Sequence, residues 1–201
     1  MPILVTGGAR SGKSTFAEQL SMRLCSEGIY IATAQIYDDE MQERIELHHQ
    51  QRDESGFLWR TREEPYALFE LLEQQENLER QEQQDRTAGE PRPVVLVDCL
   101  TLWLSNWLLK VEDQADASSY VMDKITELVQ LVSTYSGQLV LVTNEVGSGI
   151  VPEYRLGRQF RDLAGKMNQR LAAVCEQVFL VTAGIPIELK SRAYRMGEGE
   201  R

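Results

Sequence analysis

Five short runs in the chain are apolar along their whole length: Ile3 to Thr6, Ile29 to Thr33, Val94 to Asp98, Leu139 to Thr143 and Val178 to Thr182. Runs without polar alternation predict strands covered on both faces, as in a parallel sheet. Between them, helical spacing predicts helices over Lys13–Glu27, Asp38–Arg52, Glu64–Asp85, Thr101–Val111, Ser118–Ser136 and Glu153–Glu176. The last puts Leu156, Phe160, Leu163, Ala164, Met167 and Leu171 on one stripe, the pattern of a helix laid on a sheet. The expected fold is α/β, a mostly parallel sheet flanked by helices in a single domain. Each predicted strand ends in Thr or Asp. Ligands of open parallel sheets sit beyond the carboxyl ends of strands, so these residues point to one shared site.

Composition narrows the class. At 201 residues the chain is long enough for one domain with a substantial core, and 42% hydrophobic with 26% charged residues suits a globule. The net charge of −10 argues against a surface that gathers nucleic acid by bulk attraction, so no nucleic-acid partner is expected. No stretch is long and apolar enough for a membrane span, and the amino terminus lacks a secretory pattern, which together predict a cytoplasmic protein. Three widely spaced cysteines, Cys25, Cys99 and Cys175, fit reduced thiols. One segment is compositionally distinct. Glu70 to Glu90 holds seven acids against two bases with interleaved glutamines, closed by Pro91 and Pro93. It reads as a solvated helical extension, an acidic Gln/Glu-rich insert at about 73–92. The catalytic domain is then expected over 1–190, with a flexible tail at 191–201.

Chemistry enters at Gly7-Gly8-Ala9-Arg10-Ser11-Gly12-Lys13-Ser14, a G-x-x-x-x-G-K-[ST] phosphate loop directly after a predicted strand and opening a predicted helix. That context makes the expected fold P-loop NTPase-like. Glycines let backbone N–H groups converge on phosphate oxygens, Lys13 adds a point charge, and the Ser14 hydroxyl is a ligand for Mg²⁺. Asp98 closes an apolar strand in the manner of a Walker B carboxylate, a second candidate for Mg²⁺; a helix N-cap is the weaker reading. After the late strand the chain reads Thr143-Asn144-Glu145-Val146, without the Asn-Lys-x-Asp of switch GTPases.

Both histidines of the chain are adjacent, His48 and His49. On a helix, Arg44, His48 and Arg52 share a face, and flanking guanidiniums keep an imidazole neutral, as a nucleophile must be. Met41, Ile45 and His48 also share a stripe, and spacing alone favours a packed histidine.

At these residues the chain resembles the bifunctional adenosylcobinamide kinase/adenosylcobinamide-phosphate guanylyltransferases of cobalamin assembly. The likeness runs from Ile3 through the phosphate loop, Tyr30 to Ala34, Asp38 to Met41, Arg44-Ile45, His48, Arg52, Trp59-Arg60-Thr61 and Glu63. It continues through Val97 to Trp103, Thr143 to Gly147, Gly149 to Glu153, Arg161-Asp162, Gly165, Asn168-Gln169 and Val181 to Gly184. The resemblance implies that His48 carries GMP as a covalent phosphoramidate, with Lys13 also catalytic. It implies nucleotide contacts by Gly7, Gly8, Ala9, Arg10, Ser11, Gly12, Lys13 and Ser14, by Ala32, Thr33 and Ala34, by His49, Gln50, Gln51 and Arg52, and by Glu63 and Asp98. The implied reactions phosphorylate adenosylcobinamide from ATP or GTP and transfer GMP from GTP to adenosylcobinamide phosphate. Mg²⁺ accompanies the nucleotide, and a homo-oligomer, a trimer, is implied on the same ground. The competing readings are another P-loop small-molecule kinase with a structural His48, and a nucleotide-dependent regulatory protein.

Other residues stay open. Asn144, Glu145, Gly147 and Gly149 order either substrate or a tight turn. Arg155, Arg158 and Arg161 read as solvated ahead of phosphate-binding. Trp103 and Trp107 read as core or subunit contact, and Cys99 as buried packing.

Overall fold

The computed structural model describes residues 1–35, 42–43, 50, 52–85 and 92–194. Its strands are β1 (Pro2–Gly7), β2 (Glu27–Ala32), β3 (Leu58–Glu63), β4 (Val94–Asp98), β5 (Leu139–Val142), β6 (Gln177–Thr182) and β7 (Ile185–Glu188). They form one sheet in the order β3-β2-β4-β5-β1-β6-β7, parallel except for the antiparallel β6–β7 hairpin. The helices are α1 (Lys13–Leu24), α2 (Leu68–Asp85), α3 (Leu100–Lys110), α4 (Ala117–Thr134) and α5 (Arg155–Val174). This is the expected P-loop NTPase-like architecture, with β5 inserted between the strand of the phosphate loop and the strand of Asp98.

Side-chain alternation along the central strands divides the core. Leu4, Ile29, Ile31, Val95, Val97, Leu139 and Leu141 face one side and pack with α2, α3, α4 and α5. Ile3, Val5, Tyr30, Leu96, Val140 and Val142 face the other, where α1 contributes Ala17 and the described residues Phe57 and Trp59 pack alongside. Burial of both faces explains why these strands read as unbroken apolar runs.

All five predicted strands are present. Two more carry no legible signal. β3 is an edge strand, LWRTRE, with only Trp59 half-buried, and β7 is an exposed edge hairpin arm containing Pro186. Edge strands bury little, so their sequences show no period-2 or apolar pattern. Helix ends also shift. The first helix stops at Leu24 instead of the expected Glu27, because Glu27 already pairs with Leu58 in β2–β3. The helix expected from Glu64 starts at Leu68, after Glu64 caps the turn by accepting the Tyr66 and Ala67 N–H groups. Most of the helix expected over Asp38–Arg52 lies outside the described residues.

The acidic segment is not wholly solvated. Glu76 is 4% exposed, pairs with Arg80 at 2.8 Å and accepts the Ser136 N–H at 2.9 Å, fastening α2 to the end of α4. Residues 86–91 of the insert lie outside the described residues. The start of the tail is held too: Ser191 donates its N–H to Glu188 at 2.6 Å. Residues 195–201 lie outside the described residues.

Candidate active site

The phosphate loop leaves β1 at Gly7, where no side chain fits. A Cβ there would meet the Val181 carbonyl oxygen at 2.4 Å and Ser11 Oγ at 2.6 Å. Arg10 and Gly12 take positive φ, 55° and 90°, and wind the chain into the first turn of α1. That helix has no capping side chain and no acid in its first turn, so its leading N–H groups stay available to an anion. Lys13 Nζ donates to the Gly8 carbonyl at 3.0 Å, curling its charge over the loop. Gly8, Ala9, Arg10 and Gly12 are exposed, Ser11 and Lys13 buried, and Ser14 half-buried.

Register gathers the other candidates beside it. Ala32 pairs with Glu63 on one side and Asp98 on the other, so three nucleotide-contact candidates from three strands lie in one row at the carboxyl edge. Thr33 is fully buried, and its hydroxyl donates to the Cys99 carbonyl at 2.6 Å and accepts the Cys99 N–H at 3.0 Å. Asn106 Nδ2 donates to the Thr33 and Pro65 carbonyls, bracing the Ala32–Ala34 turn from α3. Thr33 is therefore placed to act through backbone, since its side chain closes the β2–β4 seam.

Asp98 does not cap α3. The N-cap of that helix is Cys99, with no side-chain cap bond. The Asp98 carboxylate instead accepts the Tyr30 hydroxyl on Oδ2 at 3.2 Å. Ser14 and Asp98 are hard oxygen donors of the kind Mg²⁺ takes, and among the described residues no cluster of three or more His, Cys, Asp and Glu offers a fuller protein cage.

Arg52 is 3% exposed and sits on the α1 side of the sheet. Its guanidinium lies 3.8 Å from Glu18 Oε1 and stacks 3.8 Å from the Tyr30 ring centroid. Burial pushes the Glu18 carboxyl up to about 7, against the lowering effect of Arg52. Burial, reinforced by Asp98, also raises the Tyr30 hydroxyl well above its ordinary value, so it stays a donor. Sequence reasoning misses Glu18 and Tyr30 as parts of the site; the available signal is that Glu18 falls one turn after Ser14 on the same helix face. Gln50 is exposed; His48, His49 and Gln51 lie outside the described residues.

The loop after β5 is pinned on both flanks. Thr143 donates its N–H to the Val5 carbonyl and Glu145 to that of Gly7, at 2.9 and 3.0 Å, which stations Asn144 and Glu145 against the phosphate loop. Thr143 Oγ1 donates to Asn168 Oδ1, Asn168 Nδ2 to the Asn144 carbonyl, and the Asn144 N–H to Thr101 Oγ1. Arg155 and Arg158 are exposed, as expected of solvated arginines, although Arg158 also donates to the Pro152 and Glu153 carbonyls; half-buried Arg161 donates to the Gly147 carbonyl and braces the loop. Trp103 is core, and with Trp107 donates its indole N–H to the Tyr66 carbonyl. Cys99 is buried, its thiol pushed up to about 11 by burial, as expected of a packing residue.

A phosphate loop, a row of Glu63, Ala32 and Asp98 across three strands and a braced loop beside them fit more than one kind of phosphate-transfer enzyme. The sequence comparisons decide among them. The cobinamide kinase / cobinamide phosphate guanyltransferase family matches residues 3–189. The chain belongs to this family. Three relatives align along nearly their whole lengths. The bifunctional adenosylcobalamin biosynthesis protein CobU of Escherichia coli K12 is 43% identical, covering 94% of this chain and 100% of that protein. The protein of the same name from Salmonella typhimurium LT2 is 41% identical, with 94% and 100% covered. The bifunctional adenosylcobalamin biosynthesis protein CobP of Pseudomonas aeruginosa PAO1 is 40% identical, with 93% and 96% covered. Among solved structures, a prototypical ATPase from the type III secretion system of pathogenic bacteria aligns with 90% of this chain and 51% of its own at 12% identity and a TM-score of 0.45. As a cobinamide kinase / cobinamide phosphate guanyltransferase, the chain is a transferase of adenosylcobalamin biosynthesis.

Proposed function

We propose that both reactions run at this one phosphate loop, with His48 as the guanylyl carrier. In the kinase step the aminopropanol hydroxyl of adenosylcobinamide attacks the γ-phosphorus of ATP or GTP. The new O–P bond forms as the bond to the β-phosphate oxygen breaks, and the hydroxyl loses its proton. In the second reaction a neutral ring nitrogen of His48 attacks the α-phosphorus of GTP, an N–P bond forms and pyrophosphate leaves. An oxygen of adenosylcobinamide phosphate then attacks that phosphorus, the N–P bond breaks, and adenosyl-GDP-cobinamide departs.

The observation that carries this reading is the packing of Arg52, four residues after His48, against the helix that the phosphate loop opens. Lys13 and the loop N–H groups offset charge on the leaving phosphates. Ser14 and Asp98 would hold Mg²⁺, which when bound supplies further charge neutralisation on the triphosphate. Gly7 to Ser14, Ala32 to Ala34, His49 to Arg52, Glu63 and Asp98 make up the nucleotide site in this proposal.

A cytoplasmic homo-trimer belongs to the same proposal. Ile150, Val151, Tyr154, Ile185 and Ile187 are exposed apolar residues that support a subunit contact. Among the described residues no helix is long and apolar enough to cross a membrane.

Incubation with α-³²P-GTP tests the carrier. Acid-labile, base-stable label on the wild type and none on His48→Ala is expected. Label on neither would leave a plain kinase with a structural His48, and equal label on both would place the carrier on another residue; either result overturns this reading.

A further inference from the structure

The loop after β5 is held at nearly every step. The Asn144 N–H donates to Thr101 Oγ1 at 2.7 Å and the Glu145 N–H to the Gly7 carbonyl at 3.0 Å. The Asn144 carbonyl accepts Asn168 Nδ2 at 3.0 Å, and the Gly147 carbonyl accepts Arg161 Nη2 at the same distance. Backbone is therefore fixed on both sides of Glu145, yet the Glu145 side chain is exposed. A solvated acid needs no such support, whereas a reacting group gains from a preorganised one.

Position singles out this carboxylate. In the order of the sheet β5 adjoins β1, β4 stands two places from β1, and β3 stands four. Neighbouring strands lie about 4.8 Å apart, so Glu63 at the end of β3 starts about 19 Å from the strand that carries the phosphate loop. Glu64 accepts the Tyr66 and Ala67 N–H groups, and Asp98 accepts the Tyr30 hydroxyl besides being a candidate for Mg²⁺. Glu145 is bonded through its own N–H to the first residue of the phosphate loop, and its Oε1 accepts the Gly147 N–H at 3.2 Å. An ionised carboxylate has about four acceptor sites, so this bond leaves capacity for a substrate hydroxyl.

We infer that Glu145 is the catalytic base of the kinase step. The acceptor hydroxyl oxygen attacks the γ-phosphorus, the new O–P bond forms and the bond to the β-phosphate oxygen breaks. The hydroxyl proton moves to a Glu145 carboxylate oxygen, from which solvent removes it. The inference rests on the proposed placement of the kinase step at this phosphate loop. It also separates the two activities. In guanylyl transfer the attacking atoms are an imidazole nitrogen lone pair and an ionised phosphate oxygen, neither of which carries a proton for Glu145 to take.

The test uses the full chain with Mg²⁺, γ-³²P-ATP and adenosylcobinamide. Glu145→Gln keeps an oxygen for the Gly147 N–H and removes the base. Its kcat for phosphorylation should fall about 10²-fold or more, with KM for ATP within about threefold of wild type. Glu145→Asp, which retains a carboxylate, should be at least fivefold faster than Glu145→Gln. Labelling by α-³²P-GTP should stay within about threefold of wild type in Glu145→Gln. A purely structural Glu145 predicts that glutamine is tolerated, so a kinase rate within threefold of wild type overturns the inference. So does a tenfold rise in KM for ATP at unchanged kcat, which would make Glu145 a nucleotide contact, or a parallel fall of labelling and phosphorylation. Lys13→Met tests the premise: retained kinase turnover there removes the step from this loop and the inference with it. Loss in Lys13→Met with retention in Glu145→Gln overturns the inference alone. A wild type that takes no label sinks the histidine carrier and leaves the kinase rates to decide. Circular dichroism identifies variants that fail to fold, and the isosteric Glu145→Gln change at an exposed position decides the matter if Glu145→Asp does.

Discussion

Gly184 donates its backbone N–H to the Ser11 carbonyl at 2.8 Å, so the turn between β6 and β7 is fastened directly to the phosphate loop. The turn is tight, with Ala183 and Gly184 both at positive φ, and Gly184 Cα would lie only 3.2 Å from a Cβ on Gly12. The hairpin thus backs the loop from behind, with no side chain between them.

Gly12→Ala follows from that contact. Its φ of 90° costs an L-residue about 1–2 kcal/mol, and the added methyl pushes against Gly184 backbone. We expect the unfolding midpoint to fall and GTP affinity to drop at least tenfold, measured by thermal melting and calorimetric titration.

Lys13→Met removes the charge that curls over the loop. Removing one such donor from a phosphate-transfer site typically costs about 10²-fold in rate. Both kinase turnover and GMP labelling should fall by about that factor, while circular dichroism stays that of the wild type.

Thr143→Val keeps the shape of a fully buried side chain and deletes its hydroxyl. Asn168 Oδ1 then loses its donor at 2.8 Å, and Thr101 Oγ1 a neighbour at 3.4 Å. An unsatisfied buried acceptor costs about 1–3 kcal/mol, to be read from urea denaturation. Because Asn168 also holds the Asn144 carbonyl, kinase activity should fall beyond what the lost stability explains.

Glu188 gives a pH dependence. Its carboxylate accepts the Val178, Lys190 and Ser191 N–H groups, and these bonds, with the Ser191 contacts foremost, lower its pKa to about 2. A lowered acid stabilises the fold fully above its unfolded value of 4.5 and loses that contribution as pH falls toward 2. Hydrogen-exchange protection of those three amides should hold down to about pH 5 and decline below it. Glu188→Gln should show the reduced protection already at pH 7.

The parallel core and the phosphate loop are readable in the sequence because each is a local pattern. Strands buried on both faces become apolar throughout, and the loop needs its glycines, lysine and serine at fixed intervals. Of the arginines of α5, Arg155 and Arg158 are exposed as read from the sequence, whereas Arg161 is half-buried and braces Gly147, a contact that no local pattern marks. The capping alternative for Asp98 fails likewise, since its carboxylate faces Tyr30 on a neighbouring strand.

The order of the strands, and with it the site, is decided in three dimensions. Glu63, Ala32 and Asp98 stand far apart in the chain, and parallel pairing brings them into one row. Nothing local marks Glu18 as the counter-charge of Arg52 or Tyr30 as a support of Asp98, because each contact joins residues distant in the chain. The amino acids alone marked the candidate phosphate-binding groups, because that motif is local; only the packing of α1 against the sheet determined which groups surround them.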